Sequence, residues 1–144
     1  MRIKSISTIF SEIDAIEDKK LKMAELKKVG ENISIRTVLK FALDPTVIFD
    51  VPEGAPPYKD MGIDAQESAL YRECRKLYLF IKPHPRINTV NIPRLKRETL
   101  FIELLESVDP ADAKMLIAIK DKQFPVTYKT LTLKLVKKAL PEIF

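Results

Sequence analysis

Apolar residues recur at steps of three and four along most of this chain, and that spacing constrains its fold more than any other feature. Ile6, Phe10 and Ile13 share one stripe of a helix that we expect to begin near the first residue, at Ile3 or before it. Only Val47–Val51 could form a short strand. The spacing therefore predicts an all-α fold of about seven helices, in which the first is followed by helical segments at 18–30, 35–43, 64–81, 93–107, 109–119 and 132–139.

Breakers and caps mark where these helices begin and end. Gly30 and Pro45 are suitable stops for the second and third helices, and Asp109 before Pro110 is a strong helix start. Proline and glycine cluster in two loops, at about 50–63 and 82–92, which we interpret as ordered connections rather than interdomain tethers. With 144 residues, 46% of them hydrophobic, the chain suits a single helical domain spanning 1–144.

The residues that enzymes use for chemistry are scarce. Three glycines cannot build a phosphate-cradling loop, and no paired-histidine motif or nucleophile elbow is present. One cysteine, Cys74, and one histidine, His84, are too few for an intramolecular disulfide or a zinc site. Helical spacing scatters the carboxylates of residues 98–112, which favours a solvated face over a metal cluster. We expect a non-enzymatic protein with no cofactor, no metal and no small-molecule substrate.

The net charge of +5 is unevenly distributed along the chain. Residues 41–69 contain six acidic and one basic side chain, whereas 70–97 contain eight basic and one acidic, and 114–141 contain seven basic and one acidic. Folding could gather the basic segments onto one face that attracts polyanions. The alternative is a solvated surface of mixed charge. No apolar run approaches the roughly 20 residues that span a bilayer, so we expect a soluble, intracellular protein without membrane contact.

Two basic sets could meet phosphates. The first lies in the predicted helix at 64–81, where tyrosines are interleaved at helical steps, and the second lies in the last helix. Long basic side chains that merely cover apolar surface would explain both sets equally. Thr132 could add a helix-start anion site, although capping alone also explains a threonine there. The first set is Arg72, Arg75 and Lys76, with Tyr71 and Tyr78, and the second is Lys134, Lys137 and Lys138.

Several stretches of the sequence resemble the N-terminal helical DNA-binding domain of ATP-dependent DNA ligases, especially the compact phage type. They are the amphipathic first helix, the lysine-rich 18–28, Val-Leu-Lys-Phe-Ala-Leu-Asp-Pro at 38–45 with Phe49 after it, Val-Asp-Pro-Ala-Asp-Ala at 108–113, and the closing 130–144. The chain also resembles a group of short tailed-bacteriophage proteins of unknown function. Together these resemblances imply a ligase DNA-binding-domain-like fold and a viral origin.

The ligase resemblance also implies a binding segment. In those ligases the closing stretch touches the DNA backbone through a helix N-terminus, and its matching positions here are Thr130, Thr132 and Lys134. Thr132 stands where the family has serine and Lys134 where it has lysine, but Thr130 replaces a glycine that lets the backbone approach phosphate closely. Because the chain stops where a ligase continues into its nucleotidyltransferase domain, ligation is not expected.

The sequence thus favours a stand-alone, non-catalytic protein that binds double-stranded DNA through phosphates with little sequence specificity. We expect it to act as a phage accessory factor in the host cytoplasm. The predicted contacts are Thr130, Thr132, Lys134 and Lys137, with Arg36, Lys40, Arg72, Arg75 and Lys76 as additions.

A second hypothesis keeps the scaffold without DNA binding. The chain would then be a protein–protein interaction module, or an inhibitor of a host or phage replication, transcription or defence protein. The threonine in place of glycine and the acidic stretches favour it. So does the apolar C-terminus, whose Leu140, Ile143 and Phe144 could dock in a partner's groove.

Overall fold

The computed structural model of the protein describes residues 4–59 and 68–144. The all-α prediction is confirmed, because these residues form helices and no strand. Eight α-helices are seen in the described ranges: α1 Ile6–Asp14, α2 Lys19–Val29, α3 Ile33–Leu43, α4 Ala69–Glu73, α5 Arg94–Ser107, α6 Pro110–Lys120, α7 Phe124–Thr127 and α8 Leu133–Ala139. Two 3₁₀ helices, Cys74–Phe80 and Pro141–Ile143, follow α4 and α8.

Side-chain caps start α2, α6 and α8 where the sequence predicted them, whereas α1 begins at Ile6, after a Ser5 cap, and not near the first residue. Asp18 accepts hydrogen bonds from two amides of the first turn of α2, at 2.8 and 3.1 Å. Asp109 accepts one at 3.0 Å ahead of α6, and Thr132 accepts one at 3.2 Å ahead of α8. Each oxygen satisfies an amide that has no partner within its own helix. These boundaries are therefore set by local sequence.

The predicted helix at 64–81 differs from the observed structure of its described residues, 68–81. Among these the α-helical part is only Ala69–Glu73, after which the chain tightens into the 3₁₀ helix Cys74–Phe80. Cys74, Leu77 and Phe80 are buried, and their three-residue spacing matches the 3.0 residues per turn of a 3₁₀ helix. The proposed capping pair Asp64 and Glu67, like Ile3, lies outside the described residues.

Aromatic rings join the N-terminal and C-terminal parts of the chain. The ring of Phe10 on α1 meets those of Phe124 and Tyr128 edge-on, with centroids 5.7 and 5.9 Å apart. Phe124, from the one-turn helix α7 that the sequence did not predict, is fully buried. Phe80 and Phe101 form a second edge-on pair at 5.2 Å. Around this core α2 packs against α8, and α5 against α6.

The predicted strand at 47–51 is reduced to one antiparallel bridge, between Phe49 and Ile81. The amide of Asp50 donates to the carbonyl of Phe80 at 2.7 Å, and that of Lys82 donates to Ile48 at 2.8 Å. The bridge anchors the end of the 3₁₀ helix to the segment that follows α3.

The first proline-rich loop is fixed by a buried lysine. Lys120, 5% exposed, donates through Nζ to the carbonyls of Pro52 and Gly54, at 2.8 and 3.0 Å. Farther along, the amide of Lys59 donates to Glu106 at 2.7 Å. Over residues 52–59 the loop is thus an ordered connection, and the rest of it lies outside the described residues.

One carboxylate makes the fold sensitive to acid. Burial raises the pKa of Asp44, but hydrogen bonds from Lys40 and Thr46 and the charge of Lys40 outweigh burial and lower the pKa from 3.8 to about 2. A depressed folded-state pKa stabilises the fold above the unfolded pKa, and that stability is lost as the pH falls from about 5 towards 2. Asp44→Asn is expected to lower the free energy of unfolding at pH 7 by about 2 kcal/mol.

Urea unfolding followed by circular dichroism at several pH values measures this loss. The gap between wild type and Asp44→Asn should shrink as the pH falls towards 2. Glu31→Gln, at an exposed position, is the matched control and should change little. A gap that stays constant with pH would contradict the assignment.

Candidate nucleic-acid interface

A cleft of about 270 Å³ opens between the start of α2 and the segment that leads into α8. We call it the α2–α8 cleft. Four of its lining side chains are lysines and only one is acidic, so its wall is strongly positive. The lining residues are Glu17, Lys19, Lys22, Thr130, Thr132, Lys134, Leu135 and Lys138.

Lys22 is the most unusual residue of the cleft, because its buried charge makes no direct ion pair with a described residue and reaches the Asp14 carboxylate only through the Thr130 hydroxyl. The residue is 6% exposed, and Nζ donates to Thr130 Oγ1 at 2.6 Å and to the carbonyl of Asp14 at 3.3 Å. Both acceptors are uncharged, and no carboxylate of the described residues lies within ion-pair distance of Nζ. An ammonium group has three N–H donors, so one remains for a ligand. An anion in the cleft would add to the compensation that the Asp14 carboxylate gives this charge through Thr130.

Thr130 positions this lysine. Its amide donates to Asp14 Oδ1 at 2.8 Å, and its hydroxyl lies between Asp14 and the Nζ of Lys22. Both the amide and the hydroxyl of Thr130 are thus engaged inside the protein. The structure therefore places Thr130 in the wall of the cleft as a support for Lys22, with its amide turned to a carboxylate.

The other residues implied by the ligase resemblance also meet at the cleft. The hydroxyl of Thr132 caps α8 by accepting from Leu135. Lys134 lies two residues after this cap, and Lys138 follows one turn later on the same side of the helix, both exposed. Lys137 is exposed on α8 but does not line the cleft.

The α2 side of the cleft was missed by the sequence reasoning. Lys19 and Lys22 are three residues apart just after the Asp18 cap, so helical spacing alone puts them on one side of α2. The helical spacing of these two lysines could therefore have been recognised from the sequence. The packing of α2 against α8, which brings the two lysine pairs together, has no local signal.

Arg36 and Lys40 lie elsewhere and have partners. Arg36 pairs with Glu142 at 3.2 Å, and Lys40 pairs with Asp44 while its Nζ stands 5.7 Å from the ring centre of Phe144. Both basic side chains of α3 therefore hold the C-terminal segment or the end of their own helix. Neither lines the α2–α8 cleft.

The predicted basic set after α4 is partly neutralised. Arg72 and Lys76 both pair with the buried Glu73, at 3.2 and 2.6 Å. The hydrogen bond from Lys76 is the main reason that the pKa of Glu73 is lowered. Arg75 makes no ion pair with a described residue, and it lines two grooves beside Tyr78, away from the α2–α8 cleft.

The C-terminal segment proposed for a protein partner folds back onto the domain. Leu140 is 4% exposed, and Ile143 and Phe144 are half-buried against the core. Leu140 packs so closely on Gly30 that a Cβ there would come within 2.5 Å of a Leu140 methyl group. A partner could reach only part of this segment without displacing it.

The single histidine of the sequence, His84, is hydrogen-bonded within the fold. His84 Nε2 lies 2.9 Å from Thr46 Oγ1, and Nδ1 accepts from the amide of Arg86 at 3.0 Å. Over 4–59 and 68–144, no three histidine, cysteine or acidic side chains are arranged to hold a metal ion. The same ranges contain no helix with the length and hydrophobicity to cross a membrane.

The support for Lys22 can be tested through stability. Asp14→Ala removes the acceptor of the Thr130 amide, and we expect the free energy of unfolding to fall by about 1 kcal/mol. Asp14→Asn keeps an acceptor oxygen and should lose less. Chemical unfolding of both variants measures this, and equal losses would contradict a hydrogen-bonding role.

Residues 9–125 match a family of unknown function, DUF6433. The chain belongs to this family. The matched range includes the α2 side of the cleft and ends before Thr130 and α8. No curated protein and no solved structure matches the chain. Since the family match brings no link to DNA ligases, the ligase resemblance and the phage origin stay predictions.

Proposed function

We propose that this protein binds double-stranded DNA through phosphates, with the α2–α8 cleft at the centre of the interface. The observation that supports the proposal best is the convergence of four lysines from two distant parts of the chain, one of them buried and without a direct ion pair to a described residue. Phosphate is the anion that nucleic acid presents at every nucleotide. Lys137, exposed on α8 next to the cleft residues, can extend the interface.

Low sequence specificity follows from the groups that would make the contacts. Lysine is a point charge on a flexible stem, whereas base readout relies on side chains that form paired hydrogen bonds, such as arginine, asparagine and glutamine. The cleft offers lysines and no such side chain. Phosphate contacts of this kind fix position on the duplex without reading bases.

The choice of DNA and of an accessory role rests on the resemblances. The ligase-like closing segment supports duplex DNA as the ligand, because its matching positions Thr132 and Lys134 line the cleft. The resemblance to tailed-phage proteins supports a phage accessory factor that works in the host cytoplasm. Neither a cofactor nor a reaction is part of the proposal.

An electrophoretic shift with labelled duplexes tests the proposal. We expect the protein to shift two duplexes of unrelated sequence equally at about 50 mM salt, and much less at about 200 mM. No shift by micromolar protein at the lower salt would refute the proposal. A shift of one sequence only would contradict phosphate-based binding.

A further inference from the structure

We infer that the α2–α8 cleft binds a terminal phosphate, the phosphomonoester at the end of a nucleic-acid strand, in preference to an internal phosphodiester. This inference rests on the proposed function and specifies which phosphate enters the cleft. Its grounds are the types of donor in the cleft, the burial of Lys22 and the single acidic residue in the lining.

The charged donors that remain free in the cleft are all ammonium groups. The hydroxyl of Thr130 is engaged with Asp14 and Lys22, and the oxygen of Thr132 accepts from the Leu135 amide as the cap of α8. Ammonium groups act as point charges, so the strength of their attraction depends on the total charge of the ligand more than on its shape. A phosphate monoester bears about −1.5 to −2 at neutral pH, as phosphorylated side chains do, whereas an internal diester bears a single charge. The cleft should therefore bind the monoester more tightly.

Burial of Lys22 favours a group that can enter the cleft. Nζ has one donor left after its bonds to Thr130 and Asp14, and a residue 6% exposed can be reached only from within the concavity. A terminal phosphate projects from its strand on one side. An internal phosphate is flanked by sugars on both sides, so it meets the exposed Lys134 and Lys138 more easily than Lys22.

The size and charge of the cleft suit one dianionic group. About 270 Å³ lies just below the range of roughly 300–1,000 Å³ that is usual for small-ligand sites, which suits a small group. Glu17 belongs to the same lining and reduces the positive charge of the cleft. Four lysines against one glutamate still leave ample positive charge for a single monoester.

The test compares one internally labelled duplex with 5′-phosphate ends, 3′-phosphate ends or hydroxyl ends, by fluorescence anisotropy with the full chain. We expect phosphorylated ends to lower Kd about fivefold or more relative to hydroxyl ends. A nucleoside monophosphate at the duplex concentration should not displace the phosphorylated duplex, because it lacks the other phosphate contacts. If it did, the ligand would be a free phosphate compound and the inference would be overturned.

Variants locate the effect in the cleft. Lys22→Met keeps the apolar stem and removes the buried charge, and it should bring the Kd ratio of hydroxyl to phosphate ends close to one. Lys134→Gln at the exposed rim should reduce the same ratio, and it serves if the first variant does not fold. Lys137→Gln, outside the cleft, should preserve the ratio.

The outcomes separate the two proposals. Equal affinity for phosphate and hydroxyl ends, with salt-dependent binding of both, would overturn the terminal-phosphate inference and leave duplex binding intact. No binding of any duplex would overturn both. An unchanged ratio in folded Lys22→Met and in Lys134→Gln would place the preference outside the cleft and overturn the inference.

Discussion

Lys134→Glu combined with Lys138→Glu is expected to weaken duplex binding at least tenfold at low salt. The two lysines are exposed, one turn apart on α8, and line the cleft opposite Lys19 and Lys22. Reversal removes two phosphate contacts and adds two repulsive charges close to the lysines that remain. Because fewer counterions are then released on binding, the salt dependence should also become shallower. Anisotropy titrations at several salt concentrations measure both effects.

A matched double reversal separates the cleft from net charge. Lys96→Glu with Lys114→Glu changes the net charge by the same amount at exposed positions on α5 and α6 that do not line the cleft. We expect at most a two- to threefold loss from this control, through long-range attraction alone. Equal losses of duplex affinity in the two double variants would contradict an interface localised at the cleft.

Phe124→Ala is expected to have the largest effect on stability, a loss of about 3–5 kcal/mol in the free energy of unfolding. Phe124 is fully buried and its ring lies 5.7 Å from that of Phe10 and 4.9 Å from that of Tyr128. Its helix has a single turn and little stability of its own, so the ring must hold it in place. Because the free energy of unfolding of a native protein is usually only about 5–15 kcal/mol, this loss removes a large part of the total stability.

A neighbouring substitution shows whether this loss comes from the core. Val126→Ala alters the same short helix at a side chain that is 62% exposed. We expect its urea unfolding transition to stay within about 0.5 kcal/mol of the wild type. Similar losses from both substitutions would mean that the turn itself, and not the packing of Phe124, is responsible.

Local patterns in the sequence were sufficient for most of the helices. The caps at Asp18, Asp109 and Thr132 act on amides two or three residues away, so they can be recognised without knowing the fold. The 3₁₀ helix at Cys74–Phe80 was harder to predict, because a three-residue apolar spacing suits both helix types. In the folded chain this segment packs against α3 and ends at the Phe49–Ile81 bridge.

The candidate site could be predicted only in part, because it depends on contacts between distant segments. Lys22 and Thr130 are 108 positions apart, and no local pattern in either segment indicates the contact between them. The same limit applies to charge pairing. Arg36 and Lys40 were selected as basic residues of α3. The ion pair of Arg36 with Glu142 is visible only in the folded chain, whereas the four-residue spacing of Lys40 and Asp44 could have indicated theirs.

The salt dependence of wild-type binding to a hydroxyl-ended duplex of arbitrary sequence tests the central claim most directly. If the exposed Lys19, Lys134 and Lys138 each neutralise about one internal phosphate, the logarithm of the binding constant should fall with the logarithm of salt concentration at a slope of about −3. A second, unrelated sequence should give the same slope. A slope near zero, or no measurable affinity at low salt, would contradict duplex binding through the α2–α8 cleft.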